Sequence, residues 1–159
     1  MAQYHFRPMS ADDLPLVRDW LARPHVAEWW HDADAFAFMS GDLGHHDMAQ
    51  FIVTLNGDPF GYLQCYRMGE WHTGFGPQPE GTRGIDQFIA APAMVGRGHG
   101  SAFVRDFTDG LFANGTPRMV VDPNPGNPRA IRAYEKAGFI RDREVDTPEG
   151  VALLMLRDA

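Results

Sequence analysis

The sequence predicts a single α/β domain with a mixed, mostly antiparallel central sheet that is flanked by helices. Three observations carry this prediction: short apolar runs of strand length, a hairpin turn signal in the first half, and two strand–helix crossovers in the second half. The chain has 159 residues, of which 44% are hydrophobic and 22% are charged. That length and composition suit one core, so we expect residues 1–159 to form one domain.

A strand and an amphipathic helix open the chain. Tyr4–Pro8 has the composition of a strand, and Ser10 or Asp12 can cap the helix that follows. The apolar residues that share one face of this helix are Leu14, Val17, Trp20 and Leu21.

Pro24 begins a second short helix, which carries Val26, Trp29 and Trp30. Adjacent helical positions point in different directions, so at least one of the two tryptophans should face a cleft while the other packs in the core. Residues 33–47 mix aromatic residues with Gly and His, which is typical of a mobile loop.

A β-hairpin follows. Residues 51–55 and 59–66 are rich in strand-forming residues, and the Asn56-Gly57 pair between them is a strong hairpin signal. Residues 67–83 are too irregular for a regular element, and residues 84–91 have the composition of a buried central strand.

The second half predicts two strand–helix units and a final strand pair. Glycines alternate at Gly96, Gly98 and Gly100, directly before an apolar helical stripe. That stripe consists of Phe103, Val104, Phe107, Leu111 and Phe112.

The second of these units begins with a strand at Arg118–Val121. Asn127 can cap a helix over residues 128–137, which has proline at its first position and glycine just past its last. Residues 139–145 and 151–157 should then pair as strands.

Composition limits the classes of partner. The chain has 14 Lys plus Arg against 21 Asp plus Glu, a formal net charge of −7. Nucleic acid favours a basic surface, so this charge suits a cationic small molecule better. Apolar runs are far shorter than the roughly 20 residues of a membrane span, and we expect a cytoplasmic monomer or homodimer with no membrane partner.

The glycine turn has the chemistry of a phosphate site. Free backbone N–H groups and the helix dipole favour an anion there, although an empty βα turn would have the same sequence. A dinucleotide-binding site would also require an acidic residue about 20 residues further on, and Asp122 lies at about that distance. The antiparallel strands upstream do not belong to the doubly wound sheet of such proteins.

The glycine turn, the Asn127-Pro128-Arg129-Ala130 segment and the run from Tyr134 to Phe139 resemble the GNAT acetyltransferase superfamily. The resemblance implies that Gly98 and Gly100 hold the diphosphate of acetyl-CoA, that Asn127 contacts its pantetheine arm, and that Tyr134 lies near the thioester. One departure is Val95, which stands where the family usually has glutamine or arginine.

Within that superfamily, almost the whole chain resembles the aminoglycoside 6′-N-acetyltransferases. The matching segments are Glu28-Trp29-Trp30, residues 55–59 with Gly61-Tyr62, Arg83-Gly84-Ile85-Asp86-Gln87, and Asp122-Pro123 with Asn127. The resemblance implies that Asp86 is the general base and Tyr134 the general acid. Residues 67–83 include only Glu70 and Glu80 as acids, whereas the resembling enzymes have a distinctly acidic loop. This departure weakens the expectation of an aminoglycoside acceptor more than the expectation of acetyl transfer.

The resemblance and the pattern together predict two sets of contacts. The residues expected to bind acetyl-CoA are Phe88, Ile89, Val95, Gly96, Arg97, Gly98, His99, Gly100, Ser101, Asn127, Ala130 and Lys136. The residues expected to line the acceptor site are Trp29, Trp30, Tyr66, Glu70 and Asp122.

The proposed chemistry also follows from the residue types. A protonated amine must lose a proton before it attacks a thioester, and a carboxylate on a central strand such as Asp86 can accept it. A phenol such as Tyr134 can donate a proton to the leaving sulfur. Asp86 could instead cap backbone N–H groups at a strand end, and Tyr134 could be a core residue in register with Ile131. A strand N–H near Ile89 could hold the oxyanion.

Metal and thiol chemistry are not expected. The best-placed histidines are His31, His45, His46 and His99, but His45 and His46 are adjacent and should point apart, and no H-E-x-x-H motif is present. Cys65 resembles a small buried hydrophobe, not a nucleophile, which favours direct transfer in a ternary complex. The alternatives are a lysine-type amine acyltransferase of siderophore assembly and a non-catalytic module that binds CoA or a drug.

Overall fold

The computed structural model describes residues 3–30, 34–68 and 74–159. The elements of the first half are β1 (Tyr4–Pro8), α1 (Leu14–Leu21), α2 (Pro24–Ala27), α3 (Ala35–Gly41), β2 (Met48–Leu55), β3 (Asp58–Arg67) and β4 (Arg83–Ile89). Those of the second half are α4 (His99–Ala113), β5 (Arg118–Val121), α5 (Pro128–Lys136), β6 (Ile140–Thr147) and β7 (Gly150–Asp158). Single 3-10 turns lie at Ala11–Asp13 and Pro92–Met94.

The strands form a seven-stranded sheet in the order β1-β2-β3-β4-β5-β7-β6. The β1–β2, β5–β7 and β6–β7 pairs are antiparallel, whereas β4 and β5 run parallel. The predicted mixed, mostly antiparallel sheet with flanking helices is therefore confirmed. β4 is the fourth of seven strands, as its composition predicted for a central strand.

The chain divides into two compact units. Unit 1 consists of Met1–Cys65 and Asp86–Val95. Its core joins residues from α1, α2 and α3 to one face of the strands: Met9, Val17, Trp20, Val26, Met39, Ile52, Tyr62, Phe88 and Ala90. That the whole chain is one domain stays a prediction.

Unit 2 consists of Tyr66–Ile85 and Gly96–Ala159. A core cluster of this unit contains Phe75, Val120, Val145, Ala152 and Leu154. α4 and α5 contact each other, and Arg105 on α4 donates a 2.8 Å hydrogen bond to the carbonyl of Lys136 on α5.

Local sequence signals explain the β2–β3 hairpin. Asn56 and Gly57 have φ angles of 52° and 86°, the left-handed pair that a two-residue turn of this kind requires. On β3, a Cβ at Gly61 would lie 2.9 Å from the carbonyl oxygen of Phe88, so glycine permits the close approach of β3 to β4.

The structure contradicts the predicted loop at residues 33–47. Residues Ala35–Gly41 form the helix α3, and a turn leads from it into β2. Met39 is buried in the core of unit 1 and Leu43 packs against the same core. The helix is stabilised by this packing, which the mixed composition of residues 33–47 did not reveal. Residue 33 lies outside the described residues.

Within the described residues, no helix is long and apolar enough to cross a membrane.

Candidate active site

Asp86 lies on β4 and is partly buried in unit 1. The side chain of Gln64, on the neighbouring strand β3, donates a hydrogen bond of 3.0 Å from Nε2 to Asp86 Oδ2. The predicted general base is therefore held by a neutral amide on an adjacent strand of the sheet. A donor of this kind favours the ionised form of a carboxylate.

Gln64 is the last link of a chain of side-chain hydrogen bonds. Its Oε1 accepts a 2.7 Å bond from the hydroxyl of Tyr62, which itself accepts a 3.1 Å bond from Nε2 of Gln50. The same Nε2 donates a 2.8 Å bond to the backbone carbonyl of Met39 in α3. This series of hydrogen bonds connects α3 to Asp86 within unit 1.

The phenol of Tyr62 remains neutral in this environment. Burial raises the pKa of Tyr62 well above its ordinary value, an effect that the hydrogen bond from Gln50 opposes and that the nearby carboxylates of Asp86 and Asp42 reinforce. A neutral phenol keeps its proton and donates a hydrogen bond to Gln64 at neutral pH.

The two tryptophans that follow α2 have different environments. The backbone N–H of Trp30 donates to the carbonyl of Val26. The Trp30 ring makes edge contacts with Phe88 and Tyr62 at centroid distances of 5.2 and 6.1 Å. Trp29 is 39% exposed. The prediction that both tryptophans lie on the helix is wrong, because α2 ends at Ala27 and they follow it in a turn. The expectation that the two rings have different environments is confirmed, since Trp30 packs against the core of unit 1 and Trp29 is the more exposed.

Hydrogen-bonding contacts connect the end of β4 to the segment around α2. His25 Nε2 lies 3.0 Å from the carbonyl oxygen of Ile89, and the Arg23 guanidinium donates a 2.7 Å bond to the carbonyl of Ala90. The ring of Phe88 is buried in the core of unit 1, so of this predicted cofactor contact only the backbone is available to a ligand.

The glycine turn lies at the start of α4, in unit 2. Gly96 and Gly98 have φ angles of 76° and 84°. Among residues 3–30, 34–68 and 74–159, only adjacent residues lie within 4 Å of a Cβ added to either. Gly98 is the N-cap of α4, and the hydroxyl of Ser101 donates a 3.1 Å hydrogen bond to the carbonyl of Gly98. Arg97 is exposed and His99 partly so.

This arrangement fits a diphosphate. The first backbone N–H groups of α4 have no partner within the helix, and a 15-residue helix directs the positive end of its dipole toward the turn. The absence of side-chain atoms over Gly96 and Gly98 leaves room for an anion to approach the backbone. The residues present therefore fit the diphosphate of a CoA.

The helix α5 carries the other predicted contacts of unit 2. Asn127 caps α5, since its side chain accepts a 3.2 Å bond from the N–H of Ala130. Tyr134 is 6% exposed, and its ring packs edge-on against Phe139 at 5.7 Å. Lys136 is exposed at the last turn. The predicted cap is confirmed, and the packing expected of a core residue is present at Tyr134.

The remaining predicted acceptor contacts are spread over unit 2. Tyr66 is buried, and its ring lies where a Cβ on Gly84 would stand, so position 84 must be glycine. Asp122 follows β5 and is partly buried, and Glu80 is exposed. Glu70 lies outside the described residues.

The structure corrects the expectation for His45 and His46. Their rings stack, with centroids 4.6 Å apart, and do not point apart. Asp47 connects them, because its N–H donates to Nδ1 of His45 and its carboxylate lies 3.1 Å from Nε2 of His46. The prediction that no metal is needed no longer rests on the orientation of these rings. His31 lies outside the described residues, and Cys65 is buried as predicted.

Sequence reasoning missed Gln50, Tyr62 and Gln64. Tyr62 and Gln64 are two residues apart on β3, and alternation in a strand places them on one face. This signal was in the sequence, but the bond to Asp86 depends on β3 being the neighbour of β4.

The chain belongs to the acetyltransferase (GNAT) domain family, whose model matches residues 10–147. Aminoglycoside N(6′)-acetyltransferase type 1 of Klebsiella pneumoniae is 36% identical to it over 165 aligned residues, which cover 95% of this chain and 81% of that protein. The structure of AAC(6′)-Ib in complex with coenzyme A and kanamycin superposes with a TM-score of 0.88 at 36% identity, and covers 98% of this chain and 95% of that one.

An aminoglycoside N(6′)-acetyltransferase from Legionella pneumophila is more distant. Its structure has a TM-score of 0.83 at 25% identity, with 99% of this chain and 93% of that one covered. Together these findings confirm the predicted fold and the predicted class of enzyme, an acetyltransferase.

Proposed function

We propose that this protein transfers the acetyl group of acetyl-CoA to the 6′-amine of an aminoglycoside. The observation that carries the proposal is the likeness along 95% of the chain to an aminoglycoside N(6′)-acetyltransferase. The geometry of unit 1 supports it, because a carboxylate with a dedicated hydrogen-bond donor lies on the central strand where such an enzyme needs a base.

Asp86 is the general base of the proposed reaction. An aminoglycoside amine is protonated near neutral pH and becomes a nucleophile only when it loses a proton. Gln64 donates a hydrogen bond to Oδ2 of Asp86 on the central strand. Asp86 then accepts the proton of the amine directly or through a water.

The donor side of the reaction uses the residues of unit 2. The backbone N–H groups of residues 96–101 bind the diphosphate, and Asn127 and Ala130 at the start of α5 contact the pantetheine arm. Acetyl-CoA supplies the acetyl group as a thioester. Tyr134 is the proton donor to the sulfur, and its packing against Phe139 holds its ring in one orientation.

The acceptor is a polycation in this proposal. The net charge of −7 gives the protein a field that attracts one. The exposed ring of Trp29 offers a face to a sugar or an ammonium group, and the carboxylate of Asp122 offers a partner to a further amine. Trp30, Tyr66 and Glu70 complete the set proposed for the acceptor, and Glu80 adds to the negative charge that attracts a cation.

The test is release of the CoA thiol from acetyl-CoA in the presence of kanamycin, tobramycin, a lysine-type amine, or an aminoglycoside with a hydroxyl at the 6′ position. Wild type and Asp86→Asn are compared, with CoA binding measured by calorimetry for both. We expect turnover with the 6′-amines alone, reduced roughly 100-fold or more in Asp86→Asn while CoA binds as before.

Other outcomes would change the proposal in defined ways. Turnover of the lysine-type amine alone would favour siderophore assembly, for which the paucity of acidic residues in 67–83 is the supporting observation. CoA binding without any product would favour a non-catalytic module. Equal turnover of the 6′-hydroxyl compound would contradict the 6′ position.

A further inference from the structure

We propose that Gln64 is a positioning residue for Asp86, and that Tyr62 and Gln50 hold Gln64 in the one amide orientation that directs its N–H at the carboxylate. This inference rests on the proposed function, in which Asp86 accepts the proton of the amine. It adds three residues that never touch the reacting atoms to the machinery of the base.

The direction of every hydrogen bond in the chain follows from its first link. The backbone carbonyl of Met39 can only accept, so the atom of Gln50 that lies 2.8 Å from it is the amide nitrogen. That nitrogen has a second N–H, which donates to the hydroxyl of Tyr62. The hydroxyl of Tyr62 therefore donates its own hydrogen bond to Oε1 of Gln64, 2.7 Å away.

The orientation of Gln64 is fixed by these bonds. With Oε1 occupied as an acceptor, Nε2 is the end of the amide that faces Asp86, and the 3.0 Å contact is a donation to the carboxylate. In the flipped orientation the amide oxygen of Gln64 would face Asp86 and repel its carboxylate. The series of hydrogen bonds ends at the carbonyl of Met39 and at the carboxylate of Asp86, which both accept. The donors between them are therefore all used in one consistent direction.

Burial makes the chain costly to disturb. Tyr62 is fully buried and Gln50 is 7% exposed, and within the described residues every buried side-chain nitrogen or oxygen has a partner. An apolar set of similar volume would fill the same core without needing four aligned bonds. What the polar chain provides in addition is a fixed donor beside Asp86.

The titratable groups around the chain support donation as its effect. The carboxylates that act on the phenol of Tyr62 are Asp86 on β4 and Asp42, which follows α3. Both disfavour loss of the phenol proton, as does burial, so Tyr62 relays no proton and serves as a fixed donor. Gln64 then favours the ionised form of Asp86, and its removal should raise the pKa of that carboxyl group.

The experiment measures kcat and KM against pH with an aminoglycoside acceptor. The variants are Gln64→Met, Gln64→Glu and Tyr62→Phe, with Asp86→Asn in parallel. Gln64→Glu retains an acceptor for Tyr62 and replaces the donor beside Asp86 with a negative charge. Thr82→Val is the matched control, because it removes a buried hydroxyl that bonds only to the nearby carbonyl of Pro79 among the contacts described here.

We expect the acid limb of the pH profile to move to higher pH. The shift should be about one pH unit in Gln64→Met, the size expected for one hydrogen bond to a charged group. It should be larger in Gln64→Glu and smaller in Tyr62→Phe, where the amide is only freed to flip. At a pH below the shifted limb, kcat should fall roughly tenfold in Gln64→Met, with KM little changed. Thr82→Val should keep the wild-type profile.

Two results would overturn the inference, and they differ from failure of the proposed function. An acid limb that stays in place in both Gln64 variants while Asp86→Asn is inactive would leave Asp86 as the base and remove the role of Gln64. A rise in KM with an unmoved limb would make Gln64 a substrate contact instead. Full turnover by Asp86→Asn would overturn the proposed base itself, and the positioning role with it.

Discussion

Gly98 and Gly115 lie just outside the two ends of α4 in the same left-handed conformation, with φ angles of 84° and 99°. In the part of the chain that the structure describes, no atom outside the adjacent residues lies within 4 Å of a Cβ built on either. They carry the same backbone strain when replaced, but only Gly98 lies in the turn proposed to bind the diphosphate. This pair separates the ligand-binding role of a glycine from its conformational role.

Replacing each glycine by alanine gives the first prediction. Both Gly98→Ala and Gly115→Ala should lower the free energy of unfolding by about 1 kcal/mol, because alanine is strained at positive φ. Only Gly98→Ala should also weaken CoA binding, by roughly fivefold to tenfold, the equivalent of one lost hydrogen bond. Urea denaturation and calorimetry with CoA measure the two effects. Equal weakening of CoA binding in both variants would exclude a specific role for the turn.

The second prediction concerns Asn127, which caps α5 and is proposed to contact pantetheine. Asn127→Ala should lose about 1 kcal/mol of stability because the N–H of Ala130 loses its acceptor. Asn127→Asp keeps a capping oxygen and should retain most of that stability, but it lacks the amide donor. If the pantetheine contact exists, KM for acetyl-CoA rises in both variants. A normal KM in Asn127→Asp would restrict the residue to capping.

The third prediction uses the contrast between the two tryptophans. Trp30→Ala should destabilise the protein by roughly 3 kcal/mol, because the Trp30 ring packs against Phe88 and Tyr62. Trp29→Ala should cost less than about 1 kcal/mol, since the side chain is 39% exposed. We expect Trp29→Ala to raise KM for the aminoglycoside and to leave KM for acetyl-CoA unchanged. Steady-state kinetics with each substrate varied in turn checks this, and unchanged KM for both would remove Trp29 from the acceptor site.

The fourth prediction is that the free energy of unfolding depends on pH through Asp13, in the 3-10 turn Ala11–Asp13 that Ser10 caps. Asp13 accepts 2.9 Å bonds from the Arg7 guanidinium and from the N–H of Ser10, and the bond from Arg7 is the main reason that the pKa of Asp13 lies below its ordinary value. The stabilisation is therefore complete above the ordinary pKa of about 3.9 and is lost as the pH falls through the lower value of the folded state.

Asp13→Asn tests that pH dependence. It should cost about 1 kcal/mol at neutral pH, because Asn keeps an acceptor for Ser10 but loses the charge that pairs with the half-exposed Arg7. The difference from wild type should shrink as the pH falls below about 3.9. Asp12→Asn, at the exposed neighbouring position, is the control for charge alone. A difference that stays constant with pH would show that the ion pair contributes nothing.

Local sequence signals predicted most elements to within a few residues. The β2–β3 hairpin formed as expected because Asn56 and Gly57 are among the few residues that adopt its left-handed turn without strain. The α5 helix begins and ends as expected because Pro128 and Gly138 act on the backbone next to them. Such signals depend on neighbours along the chain, so one sequence is enough to read them.

Two of the predictions that failed did so for different reasons, the first because of distant packing and the second because of contacts within a single turn. The helix α3 was predicted as a loop, since its stability comes from the packing of Met39 in the core and not from its own propensity. His45 and His46 were expected to point apart, but they share a turn in which Asp47 bonds to both. The direct transfer mechanism, the oligomeric state and the cellular location stay predictions.

By itself the sequence determined the class of the fold, the glycine turn before α4 and the identity of Asp86 as the candidate base, because each of these rests on a local pattern or a motif. Only the tertiary structure decided what holds Asp86. Gln64 is 22 residues away from it along the chain, and Gln50 and Met39 are further still. These residues meet because the strands pair side by side and α3 packs on unit 1, and no local pattern specifies which strand becomes the neighbour of which.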